Sequence, residues 1–150
     1  MLHRSWITEH NVIARNPLGP RARRAGWQGC LLALDTIPSA AFVDVVREEV
    51  VCSESEVQSQ WQMAQSITTL SLPKRGWLSL VLRVLDCLPT EFSLQDVYVY
   101  EGFFAQYYPK NRNVKAKIRQ QLQLARDLGM ISFVEPGSYR KCKQLQLSAR

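Results

Sequence analysis

The sequence predicts an α+β fold, with a winged helix (a helix-turn-helix variant) over residues 71–150 preceded by a small β-rich segment over residues 1–70. Three observations carry this. Apolar residues recur at helical spacing in three runs between residues 76 and 128, a short β-prone stretch follows the first run, and two short extended stretches flank Pro136-Gly137 after the third. The charge divides at the same place. Residues 1–70 hold six Lys/Arg and seven Asp/Glu, whereas residues 71–150 hold thirteen and six, so the basic excess of the chain lies wholly in its second half.

Residues 16–29, NPLGPRARRAGWQG, carry two prolines, three glycines and three arginines around Trp27, which is the composition of a loop. Residues 30–34, 42–46 and 50–51 are β-prone runs separated by turn residues and charges, and two or three strands are expected there. Ser53 opens an S-x-x-E capping box, and Val57, Trp61 and Ala64 follow at helical spacing, which predicts a helix over residues 54–65. From Gly76 the pattern strengthens. Trp77, Leu80, Val81, Val84, Leu85 and Leu88 stand at i, i+3, i+4, i+7, i+8 and i+11, an amphipathic helix stopped by Pro89. Residues 90–92 suit a short strand. Ser93 with Asp96 then caps a second helix over residues 94–107 that buries Val97, Tyr100 and Phe104, and Pro109 ends it before a polar turn at 110–113.

A third helix starts near Asn113 and ends before Gly129, a residue suited to a left-handed C-cap. At 100° per residue, Val114, Gln121, Leu122 and Ala125 fall within about 60° of Ile118, and Leu128 within about 80°, so this side faces a core. Residues 130–135 read as a strand, Pro136-Gly137 as a turn and residues 138–141 as the returning strand. The tail, 142–150, has no clear assignment.

Several function classes are excluded or disfavoured. The longest apolar stretch, residues 77–88, is interrupted by Ser79, Arg83 and Asp86, well short of the roughly 20 apolar residues that a membrane span needs. The first residues lack the pattern of a signal peptide, so a cytoplasmic chain is expected. Cys30, Cys52, Cys87 and Cys142 form no CxxC pair and lie far from His3 and His10, so neither a metal nor another cofactor is expected.

The basic half points to a polyanion. Lys110, Arg112, Lys115, Lys117, Arg119 and Arg126 occur with no acidic residue between them, a one-sidedness beyond that of an ordinary solvated face. The outer side of the third helix carries Asn113, Ala116, Gln120, Gln123 and Asp127, flanked by Arg112, Lys117 and Arg119. Asn and Gln side chains present a donor and an acceptor that match the major-groove edge of adenine, while Lys and Arg reach phosphates. Asn113, Gln120 and Gln123 are therefore the base-reading candidates, and Tyr139 and Arg140 on the returning strand complete the set of duplex contacts. In the N-terminal half, Arg23 and Arg24 can clamp phosphates and Trp27 can stack on a base, although a Trp beside a glycine turn is more often the edge of a core.

The segments PLGPRARRAGWQGC, RGWLSLVLRVLDCL, EFSLQDVYVYE and KNRNVKAKIRQQLQLARDLGMISFVEPGSYRK are similar to the Dam-replacing family of DpnI-like, adenine-methylation-dependent, GATC-specific restriction endonucleases. The resemblance runs from about Trp6 to Arg140. It implies that residues from about 71 onward correspond to a winged helix binding methylated GATC duplex. It also implies that residues 1–70 match the last part of the nuclease domain, whose RRAGW loop faces DNA near the methylated adenines. The family's acidic, acidic, lysine metal site and its cysteine zinc site lie upstream of the matching segments. In this chain each lysine is preceded two positions earlier by Leu72, Tyr108, Asn113, Lys115, Tyr139 or Lys141, so no [DE]-x-K tripeptide occurs.

These readings lead to three expectations. The first is a module that binds double-stranded DNA and reads 6-methyladenine in GATC, is not an enzyme, and has no catalytic residue of its own. The second is the C-terminal piece of a split or truncated methyl-directed endonuclease, with a separate nuclease chain as partner. The third is a transcription regulator using the same winged helix, separable from the first by whether binding depends on methylation.

Overall fold

A computed structural model describes residues 1–147. Its N-terminal segment is assembled from short pieces. Single turns of 3-10 helix at Arg4–Trp6, Glu9–Asn11, Leu34–Thr36 and Ser39–Ala41 alternate with two antiparallel hairpins, β1 (Val12–Ala14) with β2 (Cys30–Leu32) and β3 (Val46–Arg47) with β4 (Val50–Val51). The strand expected over 42–46 does not form as such. The backbone there bonds to the chain's start instead, Val43 N–H to the Met1 carbonyl at 2.7 Å and His3 N–H to that of Ala41 at 3.0 Å, with one isolated bridge between Leu2 and Phe42. The β3–β4 turn is Glu48-Glu49, both at positive φ (49° and 67°), a conformation usually supplied by Asn-Gly.

Helix α1 (Glu54–Gln65) starts at the expected capping box, the Ser53 side chain accepting from Glu56 N–H and Glu56 from Ser53 N–H. Helix α2 (Leu72–Asp86) begins five residues before Trp77 opens its apolar period, because Pro73 suits a first turn, where no N–H is needed. Strand β5 (Glu91–Ser93) follows. The predicted second helix is two, α3 (Leu94–Tyr98) and α4 (Glu101–Tyr107), broken at Val99-Tyr100. Val97-Tyr98-Val99-Tyr100 is a run of β-branched and aromatic residues with weak helix propensity, and the break leaves Tyr100 only half-buried and Val99 82% exposed. Helix α5 (Val114–Asp127) buries Val114, Ile118, Gln121, Leu122 and Ala125 as the wheel requires. Strands β6 (Ile131–Glu135) and β7 (Ser138–Lys141) form the wing, and the sheet order is β5-β7-β6. The tail contributes α6 (Lys143–Leu147); residues 148–150 of the unassigned stretch lie outside the described residues.

This is the helix, strand, helix, helix, hairpin order of a winged helix, with α4, the 108–113 turn and α5 as its helix-turn-helix. It does not stand apart from the N-terminal segment. One apolar cluster runs from Trp6, Ala41 and Ile67 through Leu78 of α2 to Phe104 and Ile118. The Trp6 indole N–H donates to the Ala64 carbonyl at 2.8 Å and Arg75 Nη1 to that of Ser5 at 3.0 Å.

A second joint crosses the two halves at Gly76. Trp77 stacks on Tyr108 with ring centroids 4.1 Å apart, and the Tyr108 hydroxyl lies 2.8 Å from His10 Nε2. A Cβ on Gly76 would meet that hydroxyl at 2.9 Å. Alanine gains about 1 kcal/mol of helix propensity there but overpacks a pinned ring, at a cost of about 1–3 kcal/mol. Gly76→Ala is therefore expected to lower stability by about 1 kcal/mol, read from urea unfolding; unchanged or raised stability would refute the close approach. Burial also holds the His10 imidazole below its usual 6.5, so the neutral ring is favoured in the fold. The unfolded chain takes up this proton first, and the His10 contribution to stability declines as pH falls below 6.5.

Candidate nucleic-acid interface

The outer face of α5 is exposed at Asn113, Lys115, Ala116, Arg119, Gln120 and Gln123, as are Lys110 and Arg112 in the preceding turn, while Lys117 is half-buried. Asn113 is the N-cap residue, yet its side chain makes no capping bond; its own N–H donates to Asn111 Oδ1 at 2.8 Å. The Asn113 carboxamide is thus unspent by the cap. No acidic residue occupies the first turn of α5, so the positive end of its dipole adds to Lys110, Arg112 and Lys115.

The polar side chains of this face are partly coupled. Lys117 Nζ donates to Gln120 Oε1 at 2.8 Å and stands 6.0 Å from the Trp77 ring, so it is held beneath the base-reading candidate rather than at the margin. Arg119 Nε donates to the Tyr98 hydroxyl at 2.5 Å. Lys115 Nζ lies 5.4 Å from the centre of the same ring and 3.5 Å from Glu101. Tyr98 thereby gathers two cations on one surface, a role that the helical spacing of the sequence left invisible because α3 ends at Tyr98. Arg140 is exposed on β7 and paired with Glu91 at 2.7 Å.

Tyr139 is placed differently. It is 8% exposed, stacked on Phe92 at 5.4 Å and edge-on to Phe133 at 5.1 Å, and burial pushes its phenol above the usual 10.0. Its alternation on β7 turns it into the sheet core, so it supports the wing from beneath.

Arg23, Arg24 and Trp27 lie on a separate structure. Past β1 and β2 the chain stays paired, with Arg15 N–H bonded to the Gly29 carbonyl, Leu18 N–H to that of Trp27 and Gly26 N–H to that of Leu18. The loop is thus an extended hairpin arm rather than an open coil, closed through Gly26 at φ 81°. All three residues are exposed, Trp27 at 55%, and a Cβ on Gly29 would meet the Trp27 ring at 3.1 Å. The indole therefore lies over the Gly29 backbone and is not a core edge.

Among the described residues no group of three or more His, Cys, Asp or Glu could hold a metal ion. No helix among them is long and apolar enough to cross a membrane.

Comparison with protein families places both halves. Residues 73–141 match the Dam-replacing HTH domain, a DNA-binding domain, and residues 1–70 match the Dam-replacing family. The second match corrects the expectation that the chain is not an enzyme. That expectation rested on the missing [DE]-x-K tripeptide, but residues 1–70 match a restriction-endonuclease family, so an absent local tripeptide does not set the chain apart from enzymes. With both segments matched, the chain belongs to the Dam-replacing family of restriction endonucleases and carries its DNA-binding helix-turn-helix domain.

Proposed function

We propose that the chain binds duplex DNA with α5 in the major groove and reads adenine-methylated GATC. The exposed Asn113, Ala116, Gln120 and Gln123 face carries this reading. It is bordered by cations and free of acidic residues from Lys110 to Arg126, so it offers adenine-matching amides at its centre and phosphate contacts from Lys110, Arg112, Lys115, Arg119 and Arg140 around it. The Trp27 arm, with Arg23 and Arg24, supplies a second contact in which an exposed indole stacks on a base or its added methyl group. A gel shift with methylated and unmethylated GATC duplexes tests this. Preference for the methylated duplex is expected, and equal affinity would leave a methylation-blind regulator as the better description.

The match of residues 1–70 favours a second reading, in which the chain works within a methyl-directed endonuclease together with a separate nuclease chain. Discrete GATC cleavage in Mg²⁺, abolished by a chelator, on mixing with such a partner would establish it.

Two acidic residues compete with DNA for the cations of the interface. Glu101 holds Lys115, and Glu91 holds Arg140. Exposed pairs of this kind are worth about 0–1 kcal/mol. Glu101→Gln and Glu91→Gln are each expected to raise affinity for any duplex by roughly two- to threefold, without changing the preference for GATC. Fluorescence anisotropy across a salt series checks this, and a change confined to GATC would contradict it.

A further inference from the structure

The cations around α5 are not equally available. Lys115 is drawn to Glu101, Arg126 to Asp127 and Arg140 to Glu91, so each has part of its charge answered within the chain. Arg119 differs. Among the described residues no carboxylate stands within ion-pair reach of it, and its partner is a neutral phenol, with Nε donating to the Tyr98 hydroxyl at 2.5 Å. The guanidinium carbon is 5.9 Å from the centre of that ring, so the group sits off the hydroxyl end of the phenol rather than flat on its face. Tyr98 is a firm post for it. The residue ends α3 next to the fully buried Val97, and its own ring is half-buried. The phenol of Tyr139, stacked on Phe92 beneath the wing, feels both groups: burial raises its pKa first, Tyr98 adds to the rise and Arg119 opposes it.

We propose that Tyr98 is a positioning residue that holds the Arg119 guanidinium for end-on, bidentate contact with one backbone phosphate of the duplex read by α5. The proposal rests on the duplex-binding reading. Arginine carries its N–H donors in a rigid plane. Tyr98 takes the Nε–H, which leaves the two Nη groups as a free fork, and that edge matches the paired oxygens of a phosphodiester. An untethered arginine on a helix surface samples many rotamers, and ordering it on binding weakens affinity. The Tyr98 bond does that ordering in the free protein. A phenol suits the role better than a carboxylate, because it fixes the guanidinium without neutralising it. Glu101 and Glu91 hold their cations too, but compete with phosphate for them. Phosphate contacts carry no direct sequence information, so the effect is common to all duplexes.

The experiment is a double-mutant cycle on the full chain, with Kd measured by fluorescence anisotropy at one salt concentration for methylated GATC duplex and for an unrelated duplex. Tyr98→Phe keeps the ring and every charge and removes the hydroxyl. It is expected to weaken binding to both duplexes by roughly three- to tenfold. In the Arg119→Ala background the same substitution is expected to change Kd by less than about twofold, a result that a merely structural role for the hydroxyl would not give. Neutral methylphosphonates placed one at a time along the duplex are expected to reveal a position that weakens wild-type binding and to which Arg119→Ala is insensitive. Arg119→Lys keeps the charge without the Nε donor or the fork, and is expected to bind at least about threefold more weakly than wild type. That variant tests the proposal even if Tyr98→Phe fails to fold, which a thermal melt reports. Unchanged affinity in Tyr98→Phe, a loss that persists in full in the Arg119→Ala background, or no phosphate position that depends on Arg119 would each refute the proposal while duplex binding stands. So would wild-type affinity in Arg119→Lys, or a loss confined to GATC. Failure of the wild type to bind any duplex overturns the underlying reading and the proposal with it.

Discussion

Replacing Gln120 or Gln123 by Ala is expected to cost about 1–3 kcal/mol on methylated GATC duplex and much less on an unrelated duplex, measured as paired dissociation constants at one salt concentration. Arg119→Ala should instead weaken both duplexes alike and flatten the salt dependence. Equal losses on both duplexes for the Gln variants would remove base reading from α5 and leave it an electrostatic role.

The Lys117–Gln120 bond sharpens that expectation. Lys117 occupies one lone pair of Gln120 Oε1 at 2.8 Å and fixes the carboxamide so that its NH₂ group is the free end. Adenine offers N7 as acceptor and N6 as donor in the major groove, and N6-methylation removes one amino proton while leaving N7 intact. A Gln presented as a donor therefore suits methyladenine better than one that needs both contacts, and apolar Ala116 on the same face can lie against the added methyl group. Lys117→Ala should accordingly reduce discrimination as well as affinity. That departs from the simple division in which every cation of the run meets a phosphate.

The features that the sequence revealed are those with a repeated physical signal. The capping boxes at Ser53 and Ser93 located two helix starts, and the 3.6-residue period of Ile118, Leu122 and Ala125 separated the buried from the exposed side of α5. Elements of three residues, such as β1 and the 3-10 turn at Ser39–Ala41, span too little for a period to repeat and cannot declare themselves. The Glu48-Glu49 turn lacks the glycine that marks its conformation, and the break at Val99-Tyr100 reflects propensity beneath an otherwise helical pattern. The candidate site was legible as a list of residues, but its couplings were not. Tyr98 meets Arg119 across 21 positions and Arg140 meets Glu91 across 49, pairings that only tertiary structure creates.

Trp6→Ala is expected to have the largest effect on stability, about 3–5 kcal/mol, and to act on the whole chain. Trp6 is fully buried, its indole N–H is satisfied by the Ala64 carbonyl, and its neighbours include the residues of α2 that pack the winged helix. Removing it opens a cavity at the seam of the shared core and leaves the Ala64 carbonyl without that donor. A loss of this size is a large fraction of the roughly 5–15 kcal/mol that holds a typical domain together. If residues 1–70 were a loosely attached remnant, the substitution would melt that segment and leave α5 protected. The continuous cluster predicts the opposite, a single transition at lower temperature in which amide exchange of α2 and α5 accelerates together with that of α1. The hairpins behave differently. All residues of β1, β2 and β4 are exposed, and two-stranded ribbons of this kind are marginal on their own, so they should exchange fast in wild type and variant alike. Hydrogen exchange by mass spectrometry separates the outcomes, and an unchanged α5 in the Trp6→Ala protein would show that the two halves fold independently.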